Sequence, residues 1–166
     1  MKKMLFVLIA MGFISQTYAQ DPIQLDELLI TVNYKYYNAV QSQDAAVVVD
    51  DLETKVAFHN MKSSEFYNDE YEDYSVSFYI PDGKIVVAYD KDGTILRTIE
   101  KFKNVRLPYD VSKAVAKRFP NWEIVKDVYY VKYHKGDDVA KKVYKIVIKN
   151  GDETLRVKTD EYGNFL

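Results

Sequence analysis

Two stretches of this chain alternate apolar and polar side chains on both sides of a glycine turn. Val76, Phe78 and Ile80 alternate with Ser75, Ser77 and Tyr79. Pro81-Asp82-Gly83 turns the chain, and Ile85, Val87 and Tyr89 run back. Later, Tyr144, Ile146 and Ile148 alternate with Lys145, Val147 and Lys149. Asn150-Gly151 reverses direction, and Leu155, Val157 and Thr159 return on the expected buried face, with Thr154, Arg156 and Lys158 outside. A period of two with one apolar side per strand specifies antiparallel hairpins covered on one face. Asp90-Lys91-Asp92-Gly93 makes a further turn into a strand from Thr94 to Ile99. Trp122 to Tyr133 also alternates, with a phase shift expected near Lys126-Asp127.

The clearest helix begins at Leu107-Pro108, where proline's missing N–H costs nothing. Asp110 places a negative charge near the positive helix end. Val111, Ala114, Val115 and Phe119 form one apolar face, Lys113, Lys117 and Arg118 face water, and Pro120 ends the ladder. The acidic glycine turn recurs at an offset of 70, Asp90 to Gly93 and then Asp160 to Gly163, each followed by a leucine at Leu96 and Leu166. This repetition predicts an α+β chain built as a tandem repeat of a helix on an antiparallel sheet. The expected divisions are a leader at 1–19, an N-terminal extension at 20–46, a first unit at 47–100 and a second at 101–166, packed as one body. The extension carries either a first helix or an edge strand. Val47 to Phe58 fits a helix and a strand equally well. The repeat favours Leu52 to Phe58 as the opening strand, with the first helix near Tyr36 to Val47. Leu28 to Tyr36 has β-favouring composition.

Tyr89-Asp90-x-Asp92-Gly93, Leu107-Pro108, Phe119-Pro120-x-Trp122-x-Ile124 and Asp160-x-x-Gly163 together resemble the PepSY-like, β-lactamase-inhibitor-protein-like domains of exported Bacteroidota proteins. The resemblance covers Tyr74 to Leu166 and, through the repeat, extends to Leu52. It implies a tandem α+β fold with helices against a curved sheet, and no established catalytic residues. The disulfides and inhibitory loops of the inhibitor branch have no counterpart here, so inhibition is not carried over. Leu25-Asp26-Glu27-Leu28-Leu29-Ile30-Thr31-Val32 resembles the segment leading into the plug of TonB-dependent transporters. That resemblance implies an edge-forming β segment able to dock on an envelope partner.

Met1-Lys2-Lys3 is a short positive start, Met4 to Ile14 is apolar apart from Gly12, and Thr17 and Ala19 fit the small positions of a cleavage site before Gln20. The apolar run is short for a span of roughly 20 residues. The expectation is export to the periplasm or beyond, with no membrane segment after cleavage. Loss of Lys2 and Lys3 with the leader takes the formal charge from −2 to −4, which disfavours a nucleic-acid partner.

Cysteine is absent and histidine occurs only at His59 and His134. Thiolate chemistry is thereby excluded, and neither histidine stands in a nucleophile or phosphate motif. Asp90 and Asp92 open like a calcium loop, but Lys101 stands where an EF-hand needs glutamate. No catalytic residue, cofactor or metal is assigned, and the chain is not expected to be an enzyme. The most unusual segment is Glu65 to Tyr74. There Phe66, Tyr67, Tyr71 and Tyr74 interleave with Asp69, Glu70, Glu72 and Asp73. Aromatics beside acids suit a contact surface. Lys141, Lys142, Lys145, Lys149 and Lys158 are expected to form the wet face of the last hairpin. The expected function is noncatalytic recognition of an envelope or surface protein. A small-ligand or cation sensor and a structural protein without a discrete ligand are the alternatives. N-terminal sequencing of protein from the envelope fraction is expected to begin at Gln20; an intact Met1 would contradict the leader.

Overall fold

The computed structural model describes residues 33–166. The leader, the cleavage site and the Leu25 to Val32 segment lie outside the described residues. Helices α1 (Tyr34–Val40) and α2 (Val47–Ala57) come first, followed by a 3-10 turn at Met61–Ser63. Strands β1 (Asp73–Ile80), β2 (Gly83–Asp90) and β3 (Ile95–Lys103) precede helix α3 (Tyr109–Arg118). Strands β4 (Glu123–His134), β5 (Lys141–Asn150) and β6 (Glu153–Thr159) complete the chain. The architecture is α+β. The strands form one open antiparallel sheet in the order β1-β2-β3-β4-β5-β6, with β1 and β6 at its edges. Among the described residues, no helix is long and apolar enough to cross a membrane.

The helices cover one face of this sheet. Ile85, Val87, Tyr89, Phe102, Tyr129, Val131, Tyr144, Ile146 and Ile148 are buried there in one cluster with Tyr36, Leu52, Val56, Val111 and Val115. Phe102, Tyr129 and Tyr144 stack across β3, β4 and β5, with centroids 6.2 and 4.3 Å apart. A bulge at Ile124/Lys126 supplies the phase shift in β4. Leu155 departs from expectation: it is exposed, while Thr159 is fully buried. Strand β6 is an edge, so Leu155 has a neighbouring strand on one side only.

The N-terminal part corrects three expectations. Tyr34 to Tyr36 is helical because Tyr36, Ala39 and Val40 make an i, i+3, i+4 stripe that seals against the sheet. Leu52 to Phe58 is not an opening strand. Val49, Leu52, Glu53, Val56 and Ala57 are the buried helical stripe of α2, and Phe58 is exposed. Where one helix was expected near Tyr36 to Val47, two short helices are separated by Gln41 to Ala46. The expected unit boundary between 100 and 101 falls inside β3, which stays paired to both β2 and β4 through Phe102.

Helix α3 starts without a side-chain cap of its own, since Pro108 occupies the capping position. Asp44, from the α1–α2 connection, supplies the missing acceptor. Its Oδ2 receives the Tyr109 N–H at 2.7 Å, and its Oδ1 receives Arg106 at 2.6 Å. These two bonds hold the Asp44 carboxyl below its ordinary range.

The two acidic glycine turns have the same internal bonding. Asp90 Oδ1 accepts from the N–H groups of Asp92 and Thr94; Asp160 Oδ1 accepts from Tyr162 and Asn164. Gly93 and Gly163 have φ of 80° and 81°, where a Cβ is strained. At Gly163 a Cβ would also stand 2.6 Å from the Asp110 carbonyl oxygen of α3, whereas at Gly151 it would meet nothing. Gly163→Ala is therefore expected to destabilise by about 2 kcal/mol or more, against about 1 kcal/mol for Gly151→Ala, in urea unfolding. Equal losses would contradict the close turn–helix contact.

Candidate functional site

The acidic aromatic stretch divides into anchors and exposed groups. Tyr74, 7% exposed, is the second residue of β1; its hydroxyl donates to the Asn68 carbonyl and receives the Asn68 N–H. Tyr67 stacks on Tyr74 with centroids 5.4 Å apart and donates to the Lys91 carbonyl. These two rings pin the loop to the sheet. Phe66 and Tyr71, 56% and 57% exposed, present aromatic surface with Asp69, Glu70, Glu72 and Asp73 around them in sequence. Glu72 is partly engaged by Lys91 at 3.4 Å.

The histidines lie apart. His59 packs edge-on against Phe78, with Ser64 Oγ 3.4 Å from its Nε2. Partial burial and the Lys55 charge push its pKa down. His134 Nδ1 accepts the Gly136 N–H in the β4–β5 turn. Asp90 spends its oxygens on the turn and on Lys135. Among the described residues, no group of three or more histidines and carboxylates is arranged to hold a metal ion.

Two arrangements have no local signal in the sequence. The first is a pair of buried carboxyl groups, Glu53 of α2 and Glu100 of β3. Glu100 accepts from Tyr36 Oη at 3.0 Å and Thr98 Oγ1 at 2.7 Å. Glu53 Oε1 and Glu100 Oε2 are buried with no hydrogen-bond partner among the described residues, and two carboxylates buried together repel, so the pair holds a proton above the ordinary carboxylate range. The two donors to Glu100 favour its charged form, so Glu53 is the group expected to keep the proton. Burial, then the Glu100 charge, pushes Glu53 well above the ordinary carboxylate range. Burial also raises Glu100, against the pull of its hydrogen bonds.

The second arrangement is the uncovered face of the sheet, where residues directly opposite one another across strands form rows. One row is Ser77, Val86, Ile99, Lys132 and Lys141. The next is Tyr79, Lys84, Lys101, Tyr130 and Val143. A third is Lys103, Val128, Lys145 and Lys158. Lys126, Val147 and Arg156 follow. Three lysine pairs stand directly opposed: Lys84 with Lys101, Lys132 with Lys141, and Lys145 with Lys158. Like charges so placed destabilise a sheet. None of these six lysines forms an ion pair among the described residues; the cations in ion pairs there are Lys35, Lys62, Lys91, Arg106, Lys135 and Lys142. Lys142 differs from its neighbours because it points to the covered face, where it meets Glu161 at 3.0 Å and the Gln41 carbonyl at 2.8 Å.

The face is not uniformly polar. Ile99 is 55% exposed, and Tyr130 lies beneath Lys145 Nζ, 4.3 Å from the ring centroid, with Lys101 Nζ at 5.8 Å. A depression of about 560 Å³ has Ile99, Tyr130, Val143 and Leu166 together with Lys132, Lys141, Lys145 and Lys158 in its lining. Through Ile99 it adjoins a second of about 830 Å³, whose lining also includes Val86, Ala88, Arg97, His134 and the acidic Asp73. Compared with models of protein families and with curated proteins, the chain matches none.

The buried carboxyl pair sets a pH dependence. The unfolded chain loses these protons near 4.5, while the folded pair retains one to higher pH. Its stabilising contribution is complete below 4.5 and is lost as pH rises through the raised folded value. Glu53→Gln removes the Glu53 charge and its titration while keeping the side chain's size. The variant is expected to exceed wild type in stability at about pH 8 by about 1 kcal/mol or more, and to flatten the wild-type decline above about pH 5. Thermal melts across this range measure both, and a variant less stable at the higher pH would refute the raised Glu53 carboxyl.

Proposed function

We propose that this chain is a noncatalytic exported binding module, and that the open face of its sheet is the surface that meets a protein partner in the envelope. The observation that carries this reading is the row structure of that face: its middle rows hold opposed lysines around exposed apolar side chains, and its acids, Asp73 and Asp90 at one end and Glu123 at the other, lie outside those rows. A sheet face that serves only as wet surface gains stability from mixed charge, because opposite charges across strands attract. The middle rows forgo that gain, the kind of departure from local rules that belongs to functional surfaces.

The paired glycine turns, alike in bonding and each set against a helical segment, support a tandem α+β construction of the PepSY-like, β-lactamase-inhibitor-protein-like kind. The charged and apolar leader supports export. Phe66 and Tyr71, with Asp69, Glu70, Glu72 and Asp73, form a lesser contact surface in this reading, while Tyr67 and Tyr74 serve as its anchors.

Reductive methylation of lysines in the presence and absence of native envelope extract tests the choice of surface. Lys101, Lys132, Lys141, Lys145 and Lys158 are expected to be protected severalfold by extract, while Lys113 and Lys117 on exposed α3 positions are not. Equal labelling of both sets would remove the sheet face from the account.

A further inference from the structure

The partner's chemistry can be taken further, resting on the reading that the open sheet face binds. We propose that this face receives an acidic polypeptide segment that also carries aromatic or aliphatic side chains. Its carboxylates would lie on the lysine rows and its apolar groups in the depressions between them.

Charge complementarity gives the sign. The opposed pairs Lys84–Lys101, Lys132–Lys141 and Lys145–Lys158 concentrate positive charge on a chain whose formal net charge is negative. Opposed side chains across neighbouring strands stand about 5 Å apart at Cβ. One carboxylate can therefore lie between two ammonium groups and relieve their repulsion.

Spacing favours a polypeptide. Rows on one face repeat every second residue, roughly 6.6 Å along a strand. Side chains on one side of an extended peptide repeat at the same interval. A segment running along the strands can thus set successive side chains onto successive rows.

The apolar component separates this occupant from other polyanions. A hydrated acidic polymer would neutralise the lysines but leave Ile99, Val143 and Leu166 wet. An anionic bilayer brings hydrocarbon, but Tyr130 lies beneath two ammonium groups rather than projecting past them. Inserting that ring would carry Lys101 and Lys145 toward the lipid interior, at high cost. A side chain entering from a peptide meets the floor while its neighbouring carboxylates meet the rim.

The test is a titration of the purified protein with four probes: a random glutamate–tyrosine copolymer, polyglutamate of matched charge, heparin, and phosphatidylglycerol vesicles. The copolymer is expected to bind about tenfold more tightly than polyglutamate and to weaken as salt rises. The double variant Lys132→Glu, Lys158→Glu is expected to lose about tenfold or more in copolymer affinity. Its melting temperature should not fall, since each substitution replaces a repelling pair by an attracting one. Ile99→Ser is expected to reduce copolymer binding while leaving polyglutamate binding unchanged. Copolymer and polyglutamate binding alike would overturn the apolar part of the proposal. Tightest binding to heparin or to vesicles, lost in the charge-reversed variant, would overturn the partner chemistry while leaving the face as the binding surface. Failure of all four probes to distinguish wild type from the charge-reversed variant would overturn both.

Discussion

A sheet covered on one side imposes a single rule on every strand: alternate residues go to the helices and the rest go to water. Six strands share that rule here through a continuous antiparallel ladder, so the register of each pair sets the facing of the next. A slip of one residue anywhere would turn a strand's apolar set outward. The two register irregularities, at Ala88/Tyr89 and at Ile124/Lys126, are consequently structural features. The first lies where β2 leads toward the Asp90 turn. The second restores the buried phase of β4 before Asp127 and Tyr129 enter the covered face. The stacked rings of Phe102, Tyr129 and Tyr144 follow from that agreement, since each must point the same way from a different strand.

The covered face is not purely apolar, and its polar groups join the helices to the sheet. Asn33 receives the Ile95 N–H and donates to the Gly93 carbonyl, which ties the start of α1 to the entry of β3. Tyr36 reaches Glu100, and the buried carboxyl of Glu53 interacts with the Glu100 charge, so α1, α2 and β3 meet at one buried polar cluster. Asp127 accepts the Val105 N–H through its side chain and the Asn104 N–H through its carbonyl, holding the β3–α3 connection. Burial raises its pKa, with the Val105 hydrogen bond acting against that rise. Buried groups of this kind gain little beyond their desolvation cost, but they penalise any packing that leaves them unpaired.

Charge follows the same two-sided division. The covered face brings Lys142, the one buried lysine among the described residues, to Glu161, and buries the Glu53 carboxyl, whose pKa burial raises. The open face carries lysines in opposed pairs with exposed Ile99 and partly covered Tyr130 among them. A chain of negative overall charge thus presents a positive surface, and local field rather than net charge governs what such a surface attracts. Glu65 to Glu72 of the acidic segment lies ahead of β1, while Asp73 begins that strand opposite Asp90, at the end of the open face and outside the middle rows.

The hairpins, the acidic glycine turns and α3 were legible from residue order because each depends on neighbours within a few positions. Alternation selects a strand face, positive φ selects glycine at Gly93 and Gly163, and the Val111, Ala114, Val115 spacing selects a helix. Helices α1 and α2 were not legible in the same way. Their β-branched and tyrosine-rich segments satisfy both periods locally, and only the sheet supplied the surface that made the helical stripe the better seal. The burial of Tyr74 and the joining of Glu53 to Glu100 likewise required the third dimension. The open face is the clearest case. Lys84, Lys101, Lys132, Lys145 and Lys158 are scattered through the sequence as ordinary polar residues of alternating strands. The sequence by itself determined that each would point away from a core. Only the strand order and register, which bring distant residues within a few ångströms, decided that they would share one surface without acids between them.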